Sequence, residues 1–598
     1  MKLLVQSRVK WIAALMAVAS WVATNAAWAM PHLELQVQLN PTTRLLSAHA
    51  KLSHAQGIKQ VYLSSRFRIT QVWINDQQAK PIDQFTHDDN VLELPHETQS
   101  LALRYEATLA ATPATPNAKG LNQRSGTASP EGSFVPGSAL WFPHPGEPFS
   151  YRTTVSLPAG QKGLVAGSLV QEQDKPSGYQ ATFEFKQPAE TIDLMAGPYV
   201  TQDHHITVGT RQVLLRTWFY PDLTPLASDY LQDSARYIER YSKQIGDYPF
   251  DIFSIVASPT PTGYGMPSLT YIGKDVLRLP FIRSTSLGHE ILHNWWGNGV
   301  YPDWNAGNWS EGLTTFMADY AYAEDQGEDK AREMRMGWLR DYAAVPPNED
   351  FALRLFTSRH GGISSIIGYN KSAMVFLMLR DQIGNEAFER GLRLLWQRKA
   401  FQSADWKDLE QAFEDASGRV LDEFFEQWVM RAGTPEFKGQ DPHYRVWRRI
   451  NPNEFPPILR EVFVAPKSQV WVLDPTLNQA AQSLAQQVLD HPAASIDSDT
   501  HPFLPSGNTA ARMPTLVMGL HSSINTWLEQ QGISKPALPN GSAWVWAMRT
   551  KEHVPMVIVS VRDSEALLAL QRGLPHYGRQ HWLVFEGARA IQRGTSLP

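Results

Sequence analysis

The chain has 598 residues, 43% of them hydrophobic and 19% charged, and its formal net charge is −5. These values describe a globular protein of about three to four domains, and no long basic run is present, so we expect no nucleic-acid partner. The absence of cysteine excludes disulfides, thiolate metal sites, a cysteine nucleophile and a lipidated N-terminal cysteine.

The N-terminus has the pattern of a targeting segment. Three basic residues precede the apolar stretch Trp11–Ala23, and Ala27–Ala29 fits a small-x-small cleavage site. We therefore predict a signal peptide over residues 1–29. An uncleaved anchor is the alternative, but the apolar stretch is short for a membrane span. No other stretch approaches about 18 uninterrupted apolar residues, so we expect no transmembrane span in the mature chain.

Residues 30–210 have the alternating pattern of β-strands. In the first stretch, four apolar residues alternate with polar ones: Leu33, Leu35, Val37 and Leu39. Alternation buries one face of a strand, and several short strands separated by turn residues favour a β-sandwich-like domain. Residues 110–137 are rich in Pro, Ala, Gly, Ser and Thr, which predicts a long surface loop.

Helical spacing begins near residue 225 and continues to about residue 437. Leu231, Ala235 and Ile238, for example, are three and four residues apart, as on one face of a helix. The segments 373–383 and 406–413 also have helical patterns. This part of the chain contains the motifs described next.

The run His289-Glu290-x-x-His293 is followed by seventeen residues and then by Glu311. Positions i and i+4 share one face of a helix, so the two histidines can hold one metal ion, with Glu290 placed to take a proton from water. Glu311 begins a second apolar stretch and can return as a third ligand. Two neutral imidazoles and one carboxylate leave a fourth tetrahedral position open, which is typical of a catalytic zinc site. We therefore predict one Zn²⁺ ion; the alternative is a solvated helix that carries two histidines by chance.

The flanks of this run, HNWWGN from residue 293 and NWSEGLT from residue 308, show a family resemblance. The run resembles the zinc aminopeptidases of the membrane-alanyl-aminopeptidase family, metallopeptidase family one of the gluzincins. The spacer before Glu311 is one residue shorter than usual in the family. The resemblance implies a mostly helical, thermolysin-like catalytic domain over residues 211–437, a zinc cofactor and peptide or protein substrates. This resemblance has a bacterial character and, together with the predicted signal peptide, favours a location in the periplasm.

Tyr369 lies in the segment Gly368-Tyr369-Asn370-Lys371, which resembles the family's Tyr-x-Lys-Gly motif, with Ser372 in place of the glycine. The resemblance implies that the phenol donates a hydrogen bond to the oxyanion. There it would stabilise charge that develops only in the tetrahedral intermediate. The alternative is a tyrosine that packs at the start of a helix.

The segment Gly263–Ser268 resembles the family's Gly-Ala-Met-Glu-Asn element, an edge strand beside the bound peptide. The resemblance implies that Gly265 and Met266 bind substrate through their backbone groups. Pro267, however, occupies the position of the glutamate that binds the substrate's free amino group in the family. Proline also lacks a backbone donor. This departure argues against recognition of a free N-terminus by the family's means.

Thr315 and Asp319 follow Glu311 at helical intervals. Metal-binding histidines usually donate their second ring N–H to an oxygen, and Asp319 is our candidate acceptor. The alternative is an exposed aspartate on a helix.

From about residue 438 the pattern changes to short apolar strands that alternate with helices, near residues 477–490, 521–531 and 564–573. This alternation predicts a small open α/β domain over residues 438–598. The family more often carries a helical domain here, so the resemblance covers residues 140–437 only. We assign this domain no chemistry and expect packing or the docking of an unknown partner. The predicted fold class is a multidomain α+β protein.

These patterns predict a secreted zinc metallopeptidase with Glu290 as general base and Tyr369 as oxyanion stabiliser. The resemblance favours an aminopeptidase, whereas Pro267 leaves open an endopeptidase or another non-aminopeptidase hydrolase. From a different class, the alternative is a binding or scaffold protein on a retained peptidase fold. The intact motif residues weigh against that alternative, because a site that no longer catalyses a reaction does not need a general base.

Overall fold

The structure is a computed structural model, which describes residues 30–54, 58–78, 87–95, 98–112, 126–279, 281–346, 348–433, 456–490, 495–497 and 513–595. The predicted signal peptide, residues 1–29, lies outside the described residues. The chain divides into two compact units, the first formed by Met1–Gln232 with Phe250–Leu279 and the second by Asp233–Pro249 with Pro280–Pro598.

The first unit is built around an eight-stranded sheet. In spatial order its strands are Ser168–Lys175, Gly178–Ala189, Phe149–Leu157, His32–Asn40, Leu45–Ser53, Ser100–Thr108, Arg68–Ile74 and Gln77–Gln78. Strand His32–Asn40 pairs in parallel with Phe149–Leu157 and antiparallel with Leu45–Ser53. Its burial alternates residue by residue, and the predicted apolar set from Leu33 to Leu39 forms the buried face.

Two smaller sheets complete the β-structure near the N-terminus. One has five strands, in the order Lys162–Leu164, Leu194–Gly197, Ser133–Val135, Thr127–Ala128 and Ala110–Ala111. The other has three, in the order Gln60–Tyr62, Val91–Glu93 and His87–Asp88.

The predicted surface loop over residues 110–137 is wrong for its last part, residues 126–137. Most of this stretch is buried and two strands cross it, while residues 113–125 lie outside the described residues. Its small residues allow close packing: a Cβ atom at Gly137 would lie 1.5 Å from Oγ1 of Thr191. The composition that suggested a loop therefore reflects a crowded interior.

A further five-stranded sheet belongs to the first unit. Its strands, in spatial order, are Val200–Val208, Arg211–Phe219, Ile252–Ser258, Leu269–Gly273 and Gly263–Met266. This sheet continues across residue 210, where the sequence suggested a domain limit. The short helices of the first unit are Gly137–Ala139, Pro221–Leu226 and Lys274–Leu277. The long amphipathic helix Ala227–Gln244 begins in the first unit and ends in the second.

Helices form the greater part of the second unit up to residue 433. They are Ser286–Leu292, Ser310–Thr315, Phe316–Tyr320, Ala321–Asp325, Glu328–Ala343, Leu353–Leu355, Gly362–Ser365, Ile366–Lys371, Ser372–Ile383, Asn385–Lys399, Trp406–Ser417 and Asp422–Trp428. Phe316–Tyr320 and Ile366–Lys371 are π-helical turns within longer helical runs. Strands Tyr301–Pro302 and Ser403–Ala404 pair in parallel.

Within the described ranges, one helical run, Gly362–Ile383, is long and apolar enough by composition to cross a membrane. Its most apolar window is 72% buried inside the protein. Buried core helices pass the same test, so the run by itself does not indicate a membrane span.

Residues 456–595, here called the C-terminal domain, form a seven-stranded mixed sheet with helices. The strands, in spatial order, are Ser495–Asp497, Gln469–Val472, Thr515–Leu520, Pro555–Val561, Ala543–Arg549, Trp582–Glu586 and Arg589–Gly594. The helices are Arg460–Phe463, Pro475–Leu477, Asn478–Val488, His521–Gln530, Ser564–Gly573 and Leu574–Tyr577. Separate buried clusters line the sheet. The predicted multidomain α+β class, with a sheet-rich N-terminal part, a helical middle part and a small C-terminal sheet, is confirmed.

Candidate metal centre and active site

Helix Ser286–Leu292 carries the first two candidate ligands. Leu287 and Ile291 are fully buried and fix the helix in the core. The helix ends in a cap at His293, whose N–H donates to the carbonyl of His289 over 3.3 Å. Both imidazoles therefore emerge from one side of the helix, as the spacing predicted, with their ring centres 5.0 Å apart.

Glu311 lies in the first turn of helix Ser310–Thr315. Its Oε2 atom is 3.2 Å from Nε2 of His293 and 3.5 Å from Nε2 of His289. One ligand atom from each of the three residues lies within 4.8 Å of the others. The shortened spacer thus still returns this carboxylate to the histidines. Thr315, also on this helix, donates from Oγ1 to the carbonyl of Glu311 and supports the backbone there.

The π-helical turn Phe316–Tyr320 explains how Asp319 reaches the same site. In an ideal α-helix two positions eight residues apart point about 80° away from each other. A π-turn spreads one turn over more residues, which rotates Asp319 back toward the face of Glu311. Nδ1 of His289 donates to Oδ2 of Asp319 over 2.7 Å, as the sequence interpretation anticipated.

The second histidine is oriented by a backbone group. Nδ1 of His293 donates to the carbonyl of Trp296 over 2.9 Å. No sequence signal marks this contact, because a carbonyl acceptor is available at every residue and only the turn after the helix places it. With both Nδ1 atoms engaged, the two Nε2 atoms are left to face Glu311, which is the arrangement that metal-binding histidines adopt.

The residues present fit a zinc ion. Oε2 of Glu311 is buried and accepts no hydrogen bond from the described residues, although two imidazole nitrogens lie close to it. Burial acts to raise the pKa of Glu311, but His293 and His289 outweigh it and hold that pKa well below its usual range. The centre of the cluster thus favours positive charge, and two imidazoles with one carboxylate are a ligand set for catalytic zinc.

Glu290 and Tyr369 lie at the same centre. Burial raises the pKa of the Glu290 carboxyl, although both histidines act to lower it. The ring of Tyr369 is nearly parallel to that of His289, with 6.4 Å between ring centres, and it meets Phe356 edge-on. Burial, followed by the proximity of Glu311, raises the pKa of the Tyr369 phenol. The phenol therefore stays protonated and able to donate a hydrogen bond.

The substrate-binding candidates lie in the first unit. Gly263–Met266 is an edge strand, paired antiparallel so that Gly265 faces Thr270 and Met266 faces Leu269. Pro267 and Ser268 form the tight turn that follows, with Ser268 at φ 62°, and Oγ of Ser268 accepts from the N–H of Gly167. The role of Gly265 and Met266 in substrate binding stays a prediction.

The helical fold and the cluster of His289, His293 and Glu311 agree with the resemblance to zinc metallopeptidases. Residues 283–428 match the model of the peptidase family M1 domain. This match confirms the predicted family resemblance for residues 283–428.

Comparison with individual proteins agrees with this assignment. The chain is 28% identical over 280 residues to aminopeptidase N of Escherichia coli, covering 42% of this chain and 31% of that protein. It is 28% identical over 162 residues to the tricorn protease-interacting factor F2 of Thermoplasma volcanium, covering 26% of this chain and 20% of that protein. The chain thus spans about a third or less of the length of these relatives.

The fold also resembles a solved structure. An M1 zinc metallopeptidase mutant from Deinococcus radiodurans, bound to a Tyr-Ser-Ala substrate, aligns with a TM-score of 0.55 at 19% sequence identity. The alignment covers 69% of this chain and 97% of that chain. At this identity the likeness concerns the fold alone.

Proposed function

We propose that this protein is a zinc-dependent peptidase that hydrolyses peptide bonds with water. One observation carries the proposal: three ligand atoms, from His289, His293 and Glu311, converge within 4.8 Å, and the remaining ring nitrogen of each histidine is already hydrogen-bonded. A ligand set of this kind is held ready for a metal ion and leaves a position open for water. We propose one zinc ion per chain.

The chain's own residues divide the chemistry between them. A bound zinc ion supplies a Lewis acid, which polarises a carbonyl group and makes water more acidic. Glu290 accepts the proton of the attacking water and passes it to the leaving amine. The protonated phenol of Tyr369 donates to the oxyanion, so it stabilises charge that the substrate does not yet carry.

The sequence also bears on the mode of cleavage, that is, on whether the substrate needs a free N-terminus. Similarity to aminopeptidases favours removal of N-terminal residues, whereas Pro267 cannot provide the carboxylate that would pair with a substrate's ammonium group. An ammonium group taken from water without a partner costs several kcal/mol, so we propose poor general aminopeptidase activity and cleavage that does not require a free N-terminus.

Two matched peptides test this point. One has a free N-terminus and the other is its N-acetylated twin, which lacks the charge but keeps every scissile bond. We expect the two to be cleaved at similar rates, with cuts that mass spectrometry places inside the chain. A strong preference for the free amine would point to another acidic group as the amine partner and to an aminopeptidase.

The second candidate is a binding or scaffold protein on a peptidase fold, favoured by the presence of a C-terminal domain to which we assign no chemistry. A mixed peptide library incubated with the purified, zinc-loaded protein separates the candidates. Cleavage products support the peptidase, and an intact library after long incubation at high protein concentration supports the scaffold.

We further propose that the protein is exported to the periplasm. The support is the sequence of residues 1–29, with its basic start, apolar core and cleavage-site pattern. Fractionation of cells, followed by N-terminal sequencing of the protein recovered, tests the proposal. A chain that begins at residue 30 in the periplasmic fraction is expected, and an uncleaved cytoplasmic chain would contradict export.

A further inference from the structure

A buried carboxylate, Asp341, joins the C-terminal domain to residues 283–428, here called the metallopeptidase segment. It lies on helix Glu328–Ala343 and is fully buried. Its Oδ2 atom accepts from Nε of Arg579 over 2.6 Å and from Nδ2 of Asn370 over 2.8 Å. Its Oδ1 atom is 3.1 Å from Nε of Arg460. A buried charge is tolerated only with partners, and here two of the three partners come from the C-terminal domain.

The two arginines are held together within the C-terminal domain. The backbone N–H of Arg460 donates to the carbonyl of Gly578, the residue before Arg579, over 2.8 Å. Arg579 passes across Gly337 on the way to Asp341, and a Cβ atom at Gly337 would lie 3.3 Å from its guanidinium. A side chain at Gly337 would therefore crowd Arg579.

Asn370, the third partner of Asp341, is the neighbour of Tyr369 in the chain. Both lie in the π-helical turn Ile366–Lys371. This is a rare conformation that often marks functional sites. The side chain of Asn370 is tied to Asp341, so the orientation of the turn that presents Tyr369 depends on where that carboxylate is held.

Two more contacts from the C-terminal domain fall on the helical run Gly362–Ile383, which contains this π-helical turn. Oδ2 of Asp490 accepts from the N–H of Gly362, at the start of the run, over 2.5 Å. A Cβ atom at Gly362 would lie 2.4 Å from both that oxygen and a methyl carbon of Val464, so only glycine permits the approach. Val464 also packs in one buried cluster with Ile366. The run is thus held at its first residue, at its fifth and, through Asp341, at its ninth.

We propose that the C-terminal domain is a positioning element of the active site, which holds Tyr369 in place through the bridge Arg579–Asp341–Asn370. This inference rests on the proposed function. It assigns the C-terminal domain a role inside this chain, in addition to any partner that it binds. Arg579, Asp341 and Asn370 are positioning residues, because they act on the reaction only through Tyr369.

Kinetics of Arg579→Met test the proposal. A tyrosine that acts only in the transition state affects kcat, so we expect kcat to fall between about tenfold and 10²-fold while KM stays within about twofold. Arg549→Met is the matched control: Arg549 also pairs with a partly buried acid of the C-terminal domain, Glu461, over 2.9 Å. The control is expected to keep the kcat of the wild type.

A double-mutant cycle with Tyr369→Phe separates positioning from a general loss of stability. If Arg579 acts through the phenol, removing it from a protein that already lacks the phenol should lower kcat by less than about twofold. The same fold-loss in both backgrounds would overturn the proposal, as would a normal kcat in Arg579→Met. All rates are measured well below the unfolding temperature of each variant.

Asn370→Ala removes the hydrogen bond between Asn370 and Asp341, and it changes no residue of the C-terminal domain. It should reproduce the kcat loss of Arg579→Met, and a normal kcat in this variant would overturn the proposal even where Arg579→Met fails to fold. Failure of the proposed function has a different signature. In that case the zinc-loaded wild type itself cleaves no peptide.

Discussion

Nδ1 of His289 lies 2.7 Å from Oδ2 of Asp319, thirty residues farther along the chain. The contact joins the helix that carries both histidines to the π-helical turn that follows Glu311. It fixes the tautomer and the ring plane of one candidate ligand, since a carboxylate can only accept from that nitrogen. A hydrogen bond therefore acts together with packing to fix the relative position of the two helices that supply the ligands.

Asp319→Ala should weaken zinc binding by about 10–100-fold, the usual effect of removing a partner that orients a metal-binding histidine. Competition with a chromophoric chelator measures the affinity. Asp325→Ala is the control, because Asp325 lies near the end of the same helical run and is 55% exposed. Equal zinc affinities for the two variants would show that the Asp319 contact does not support the metal centre.

Tyr369→Phe should lower kcat by about 10²–10³, which is the effect of removing one oxyanion donor. KM and zinc content should stay near the wild-type values, because the phenol acts on charge that appears only in the transition state. Steady-state kinetics with one peptide substrate give both constants. Tyr577→Phe, in the C-terminal domain, is the control for loss of a phenol elsewhere. A large rise in KM with kcat preserved would instead indicate a role in binding substrate.

Much of the site could be predicted because its determinants are local. The spacing of His289 and His293 is a property of any helix, and Asp319 could be anticipated from helical intervals after Glu311. The contact of His293 with the carbonyl of Trp296 could not, because a backbone acceptor has no sequence signature. Nor does a 3.6-residue period predict a π-turn, so the way in which Asp319 and Tyr369 reach the site became visible only in the structure.

The fold likewise has some features that the local sequence predicts and others that it does not. Several C-terminal elements lie within one or two residues of their predicted limits, for example helix His521–Gln530 against a prediction of 521–531, because apolar periodicity is strong there. Long-range pairing is different. The register of His32 with Ser150 joins strands 118 residues apart, and Arg579 lies 238 residues from Asp341. Such contacts depend on the whole fold, and no local pattern encodes them.

Asp193 should give the first unit a pH-dependent stability. Burial raises the pKa of its carboxyl from 3.8 to about 6, against the opposing effect of a hydrogen bond from the N–H of Gly137. Because the folded-state pKa is the higher one, the stabilisation is fully present below about pH 4 and is lost as the pH rises through about 6.

The variant Asp193→Asn isolates this effect, since asparagine can accept the same hydrogen bond and does not titrate. From pH 4 to pH 7 the free energy of unfolding of the wild type should fall by about 2–3 kcal/mol relative to the variant. Urea unfolding at several pH values measures the difference. A difference that does not change with pH would contradict the raised pKa.

The hydrolysis rate of Glu290→Gln, compared with the wild type at equal zinc occupancy, tests whether Glu290 is the general base of a zinc peptidase. The substitution removes the carboxylate that accepts the proton and keeps the size of the side chain, while His289, His293 and Glu311 are left to hold the metal. We predict one zinc ion per chain in wild type and variant alike, with a rate of peptide hydrolysis about 10²–10⁴ lower in the variant. Near-normal turnover by the zinc-loaded variant would contradict the claim that Glu290 is the general base of a zinc peptidase.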